Sequence, residues 1–458
     1  MAEGQGYFAS LLVLILFEYL FSSSLVLWST NELCTSNSIC INDALFREPF
    51  NGIKKMVDSI LLDKNKLAIN GGIPVREKLL PYGKQFVDQT DIRAVIDVLQ
   101  SDWLTTGPSI VEFEKRFAEQ VGAAHGVAVS SGTAGLHCAV YAAGIEAGDE
   151  VITSPITFMA TANCIRYQGG KVVFADVNPD TLNIDPKKIK ECLSSKTKAI
   201  IAVDFTGQPA DLDAIGEIAK QNNLIFIEDG AHALGATYKN RLVGSIADMT
   251  VFSLHPVKHI TTGEGGLVVS NNPEFVERLR RFRNHGIMQD HYQRQKKGTW
   301  TYDMEEIGYN YRLPELSSVL GISQLQKLPG LLERRVEIAG RYNDAFAGLK
   351  QLDLPTDYPD CLSAWHLYVI KLNLDSLKTD RDEIFQALRA ENIGVNVHYI
   401  PVPWLSHYQK LGYKKGGWPI AESVYSRLIS LPIWPGMTEA DVEDVIMAMK
   451  KVLIAYQK

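Results

Sequence analysis

No two cysteines in this chain are spaced as CxxC, and the six present (Cys34, Cys40, Cys138, Cys164, Cys192, Cys361) are scattered over 458 residues. That spacing excludes a zinc ribbon or finger. Cys138 and Cys164 fall in apolar helical patterns and read as reduced core residues. No block of Lys or Arg occurs, and 46 basic against 53 acidic residues give a net charge of −7. The electrostatic footprint of a nucleic-acid partner is therefore missing. There is no internal repeat and no low-complexity segment. No Lys or Arg precedes Arg47 either, although Tyr7–Trp28 is apolar and long enough to span a bilayer. The basic start of a secretory signal is absent, and Glu18 within the run costs on the order of 2–3 kcal/mol on insertion. Three readings stay open for residues 1–66: a membrane anchor, an accessory amphipathic helix, or non-native sequence read in frame upstream of the true start. Met56 precedes Leu67-Ala68-Ile69-Asn70-Gly71-Gly72, so the third is favoured. In every case a cytoplasmic body is expected to follow, with membrane contact only through residues 7–28.

What is present is chemistry at strand ends. The run Met249–Leu254 is apolar and strand-like, and Lys258 follows Ser253 by five residues, before Thr261-Thr262-Gly263-Glu264-Gly265-Gly266. A lysine there packs poorly but suits a Schiff base with an aldehyde cofactor, which needs a partly desolvated, neutral amine. Ser253 is placed to bond a phosphate. Upstream, Leu224–Glu228 is a second apolar run, and it delivers Asp229 to a strand end, followed by Gly230-Ala231-His232. Open α/β sheets bind ligands at that edge. Pyridoxal phosphate (PLP) needs an acid at its ring nitrogen, since the protonated ring is the electron sink. Asp229 fits that role, with His232 read as bracing it. A third strand, Gly126–Ser130, runs through Ser131-Gly132-Thr133 into a helix whose free N–H groups and Thr133 hydroxyl form an anion site. Taken singly, each has a bland reading: a strand-to-loop lysine, a capping Asp, an ordinary N-cap. Their order along one chain favours the cofactor. His255 and His259 flank Lys258, but two histidines four apart share a metal only on a helix, and Pro256 argues against one; no metal is expected.

Strand-like runs at 126–130, 150–154, 171–176, 199–204, 224–228, 249–254 and 266–270 alternate with helical stretches such as 109–121, 212–221 and 273–283. That alternation predicts a doubly covered, mostly parallel sheet. Helices at 314–325 and 329–349 lead to a smaller α+β part with strands at 364–372 and 394–398 and helices at 381–391 and 439–455.

The set Ser131-Gly132-Thr133, Glu228-Asp229-Gly230-Ala231-His232, Ser253-x4-Lys258 and Thr261–Gly266 resembles the nucleotide-sugar aminotransferases of the DegT/DnrJ/EryC1/StrS family, over about Leu67 to Val452. The resemblance implies a PLP-dependent transferase of fold type I, aspartate aminotransferase-like. It would have a large PLP-binding domain (67–328) with a mostly parallel seven-stranded sheet, and a small α+β C-terminal domain (329–458). It further implies that Lys258 is catalytic and that Gly132, Thr133, Asp229, His232 and Ser253 bind the cofactor. Phe158 is implied to stack on its ring, Gln208 to lie near it, and Asn310 to reach a phosphate across a homodimer interface. Tyr82, Trp103, Thr105, His398 and Tyr399 resemble sugar-nucleotide contacts. In isolation, Phe158 would be core, Asn310 a helix entry, and the loop aromatics packing residues.

Within the family, Ser253–Thr262 and Ser154–Asn163 are similar in wording to the transaminases of pseudaminic acid biosynthesis. That branch implies transfer of an amino group, from L-glutamate by family analogy, to the C4 ketone of a UDP-linked 4-keto-6-deoxy-N-acetyl-hexosamine. Gln208 counts slightly against it, because that branch is associated with Lys at the position. Another nucleotide keto-sugar (perosamine, bacillosamine or 3-amino type) stays open. Lys258 argues against the family's 3-dehydratases, which carry His in its place, and the complete cofactor set argues against a non-catalytic PLP-binding regulator or scaffold.

Overall fold

The computed structural model describes residues 66–458 except Met288, Asp290 and Asp357; the apolar stretch 7–28 and the rest of the N-terminal extension lie outside the described residues. Seven strands form the main sheet: β1 (His125–Val129), β2 (Glu150–Thr153), β3 (Lys171–Phe174), β4 (Thr197–Val203), β5 (Ile225–Asp229), β6 (Met249–Ser253) and β7 (Gly266–Ser270). Their spatial order is β1-β7-β6-β5-β4-β2-β3. Only β7 runs against its neighbours; the other pairs are parallel. All seven predicted strands are in this sheet, to within three residues at each end. The parallel strands therefore share one C-terminal edge, and Asp229 and Ser253 end adjacent strands there.

Helices cover both faces, which is why these strands are apolar almost without alternation. On one face α3 (Gly132–Ala142), α4 (Ala160–Tyr167) and α6 (Pro273–Arg283) bury Val127, Val129, Val151 and Val251. On the other, α2 (Pro108–Gln120), α5 (Leu212–Gln221) and the first half of α7 (Glu315–Phe346) bury Ala128, Ile152, Phe226 and Phe252. Odd and even residues of one strand thus serve opposite cores. α5 shows how sequence makes such a helix: Asp211 caps it by accepting from Ala214 N, and Leu212, Ile215, Ile218 and Ala219 form its buried stripe. α1 (Gln89–Leu99) opens with a reciprocal capping box between Asp88 and Asp91.

A second sheet, antiparallel and three-stranded, comprises β8 (Leu352–Asp353), β9 (Tyr368–Leu372) and β10 (Leu428–Leu431). It packs with α8 (Arg381–Ala390), α9 (Glu439–Ala455) and the second half of α7. Two expectations are corrected here. The two predicted helices around Pro329 are one 32-residue helix with the proline inside it. Proline in a helix interior costs about 3 kcal/mol, and buried Leu325, Leu328, Leu331 and Ile338 on either side hold the helix through it. The predicted strand at 394–398 is not one. Its backbone pairs with β10 through the isolated Asn396–Ser430 bridge, and the third strand is instead Leu428–Leu431, a run too short and too close to Pro432 to stand out.

Candidate active site

A pocket of about 800 Å³ opens at the C-terminal edge of the main sheet. Its wall includes Tyr82, Gly132, Thr133, Phe158, Asp229, His232, Ser253, Lys258, His398 and Tyr399. The ends of β1, β2, β5 and β6, the 396–400 segment and Tyr82 from the stretch before α1 thus bring ten of the fourteen sequence-predicted site residues to one cavity.

The anion end forms where β1 turns into α3. Ser131 caps the helix by accepting from Ala134 N at 3.1 Å, and the first-turn N–H groups of Gly132 and Thr133 have no preceding helical carbonyl to bond. Gly132 is required by closeness: a Cβ there would lie 2.9 Å from Ser253 Cβ. The glycine lets the helix start approach the Ser253 hydroxyl, and the cradle so formed suits a phosphate.

Asp229 is buried at 4 % exposure. Burial raises its pKa, opposed by the Thr161 hydroxyl donating to Oδ2 at 2.7 Å and by Ala231 N donating to Oδ1 at 3.2 Å. Thr157 Oγ1 lies 2.8 Å from Thr161 Oγ1 and extends the chain of hydroxyls. His232 does not brace this carboxylate, contrary to expectation. Its Nε2 pairs with the Tyr399 hydroxyl at 3.2 Å, because α4 has already delivered Thr161 to Asp229.

Lys258 sits on the loop after β6, where its N–H closes a turn onto His255 O at 2.9 Å. It keeps partial exposure to the pocket. The protein packed round it lowers its pKa from 10.5 to about 7, by desolvation first; Asp229 opposes the shift and Arg335 adds to it. Lys258 Nζ lies 3.3 Å from His366 Nε2. His366, His232 and His259 are all held well below the usual histidine range, mainly by burial. None carries a proton's charge at neutral pH.

Phe158 is half exposed on the pocket wall, its ring 6.1 Å from that of Tyr399. His398 is buried, its Nδ1 2.8 Å from Ser430 Oγ, and its ring lies 5.4 Å from Tyr82.

Four predicted residues lie outside the pocket wall. Gln208 is buried beside it, with neither side-chain amide atom hydrogen-bonded to protein. Asn310 is exposed, on a loop that Tyr311 O ties to Ser130 N at 2.8 Å. Trp103 and Thr105 are on the loop entering α2, which the Glu315 carboxylate pins through Gly107 N, Ser109 N and Ile110 N. Three functional candidates were not anticipated: Thr161, His366 and Arg335. Thr157 lies in the bend before α4 and Thr161 in its first turn, so their hydroxyls meet where the chain enters the helix. Arg335 occupies the buried stripe Leu331, Arg335, Ile338, Tyr342 of α7, where a charge is anomalous.

The donor set fits PLP. An anion cradle that a Cβ at Gly132 would fill, a lysine amine about half deprotonated at neutral pH, and a buried carboxylate in the same pocket match the cofactor's phosphate, aldehyde and ring nitrogen.

Residues 85–450 match the DegT/DnrJ/EryC1/StrS aminotransferase family. The chain is 43% identical over 381 residues to the spore coat polysaccharide biosynthesis protein SpsC of Bacillus subtilis, covering 82% of this chain and 98% of that one. Among solved structures it resembles Helicobacter pylori PseC, an aminotransferase involved in the biosynthesis of pseudoaminic acid. That match has a TM-score of 0.78 at 33% identity and covers 83% of this chain and 100% of PseC. It also resembles the putative sugar aminotransferase Spr1654 of Streptococcus pneumoniae in its PMP form, with a TM-score of 0.78 at 31% identity over 82% of this chain and 99% of that one.

Proposed function

The chain belongs to the DegT/DnrJ/EryC1/StrS aminotransferase family, and from that premise we propose a specific reaction for it. It is a PLP-dependent sugar aminotransferase that moves an amino group from an amino acid, L-glutamate by family resemblance, to a nucleotide-linked keto-sugar. The acceptor we assign is the C4 ketone of a UDP-linked 4-keto-6-deoxy-N-acetyl-hexosamine, and the product is UDP-4-amino-4,6-dideoxy-N-acetyl-β-L-altrosamine. The observation that carries the chemistry is Lys258 and Asp229 in one pocket, the amine lowered to about 7 and the carboxylate buried.

Bound PLP supplies an aldehyde for the amine and a ring that takes up the electrons left when the donor's Cα–H is broken. This chain's residues do the rest. Gly132, Thr133 and Ser253 would hold the phosphate. Asp229, fixed by Thr161, would face the ring nitrogen and keep a proton there. Phe158 would pack on the ring face. Lys258, about half deprotonated near pH 7, would bind the aldehyde and, when free, serve as the base for the donor's Cα proton. Tyr82, His398 and Tyr399 line the sugar side, with Trp103 and Thr105 on a loop nearby.

The wording of Ser253–Thr262 and the likeness to PseC support the pseudaminic substrate. A second reading, another nucleotide keto-sugar, is favoured by the higher identity to SpsC, 43% against 33%. Incubating the protein with glutamate and a panel of UDP- and dTDP-keto-sugars, then identifying the amino sugar by mass and NMR, separates the two. No amination of any keto-sugar would refute both.

We also assign a homodimer with shared sites. Ile92, Ile96 and Leu99 of α1 and Trp300 and Ile307 of the loop before α7 are exposed apolar residues, Trp300 at 85 %. A second copy would cover such surface. Asn310, exposed beside it in sequence, would then serve the partner's phosphate.

A further inference from the structure

Arg335 is fully buried on the inner stripe of α7 and makes no ion pair among the described residues. An isolated buried cation is costly, so its retention calls for a reason. Its Nη1 donates to three carbonyl oxygens: Trp365 O at 3.1 Å, His366 O at 3.3 Å and Ile433 O at 3.0 Å. The first two belong to the segment that carries the His366 imidazole to within 3.3 Å of Lys258 Nζ.

We propose that Arg335 is a positioning residue for the reaction at Lys258: it clamps the 365–366 backbone so that His366 meets the amine, and it supplies the cluster's fixed positive charge.

The charges around Lys258 come from every element packed on it. Asp229 ends β5, His232 follows it, and His255, His259 and Glu264 flank Lys258 in its own loop. His366, His398 and Tyr399 come from the C-terminal part. Among these Asp229 favours the ammonium, while Arg335 opposes it. Arg335 also opposes protonation of His259 and His366. With His366 uncharged, the Lys258–His366 contact is a hydrogen bond, where two cations would repel. Burial does most of the lowering of Lys258 and outweighs Asp229, and Arg335 adds to it in the same direction.

This inference rests on Lys258 being the reacting amine, and the experiment separates the two claims. Trace acetylation of the full-length, cofactor-free chain, followed by peptide mass mapping over a pH series, reads the titration of Lys258 itself. The wild-type midpoint is expected near pH 7, as the lowered value of about 7 requires. Arg335→Gln, which keeps an amide donor for the carbonyls but sheds the charge, should move the midpoint up by about one unit, roughly a fivefold loss of labelling at pH 7. Arg335→Lys, which keeps the charge, should restore it. A wild-type midpoint near 10.5 overturns the proposal whatever the variants do, as does an unchanged midpoint in a folded Arg335→Gln. Should that variant fail to fold, His366→Gln tests the clamp: kcat falls with KM unchanged if His366 positions the amine, and an unchanged kcat overturns it. Mapping the borohydride-reduced cofactor adduct to another lysine would sink the reading of Lys258 while leaving its titration measured.

Discussion

Thr161 donates its hydroxyl to Asp229 Oδ2 at 2.7 Å from the first turn of α4. Two elements separated by 68 residues thereby meet on a single buried carboxylate. Burial alone pushes Asp229 toward its neutral form, and Thr161 is the strongest force against that. Thr161→Val should therefore lose a hydrogen bond to a charged group, worth about 1.5–3 kcal/mol. Cofactor affinity or kcat should fall by about 10- to 100-fold, and Thr161→Ser should restore most of it. Asp229→Asn should still bind PLP but lose at least about 100-fold in kcat. Titrating PLP into each variant and measuring turnover checks both; unchanged rates would remove this pair from the mechanism.

Beneath that site Asp204 and Glu228 are both fully buried, and neither Asp204 Oδ2 nor Glu228 Oε1 accepts a hydrogen bond among the described residues. Their other oxygens are taken: Asp204 Oδ1 accepts from Ala210 N at 2.9 Å and Glu228 Oε2 from Thr250 Oγ1 at 2.7 Å. Burial, and then the neighbouring Glu228 charge, raises Asp204 well above its ordinary 3.8. The folded chain thus holds a proton that the unfolded chain has released, so this stabilisation is full below the unfolded value and lost as pH rises through the folded one. Asn mimics the protonated acid. Asp204→Asn should raise stability at neutral pH by on the order of 1 kcal/mol and flatten its fall with rising pH. Thermal melts from pH 5 to 8 measure this, and a lower Tm across the range would contradict it.

Shared sites predict complementation. A Lys258→Ala chain mixed with an Asn310→Ala chain should form heterodimers in which one site carries both lesions and the other neither. On that reading Asn310 would contribute about 1.5–3 kcal/mol as a charge-assisted bond, so the Asn310→Ala homodimer should bind PLP weakly. Activity should reappear on mixing, at PLP too dilute to saturate that homodimer. No recovery despite proven subunit exchange would place Asn310 in its own chain's site or outside both.

The sheet was legible because each strand is a short apolar run that stops at a chemically distinctive residue, as Ile225–Asp229 and Met249–Ser253 do. Lys258 and Asp229 could be read because they stand where those runs end. Thr161 was not, since its role depends on α4 lying beside β5, a contact that no local pattern encodes. His366 and Arg335 were hidden for a related reason. Their meeting with Lys258 joins the C-terminal part of the chain to the main sheet, across 108 residues for the Lys258–His366 pair. Arg335 did leave a trace, a charge on an otherwise apolar helical stripe. The single helix through Pro329 was missed because the local rule against proline was outweighed by packing on both sides.

The central claim is that Lys258 holds the aldehyde of PLP and moves the proton. Borohydride reduction of the PLP-loaded protein, proteolysis and mass mapping test it most directly. The account predicts one pyridoxyl-phosphate adduct, on the peptide containing Lys258, and its loss together with turnover in Lys258→Ala. An adduct on a different lysine, or near-wild-type turnover of Lys258→Ala without added amines, would contradict it.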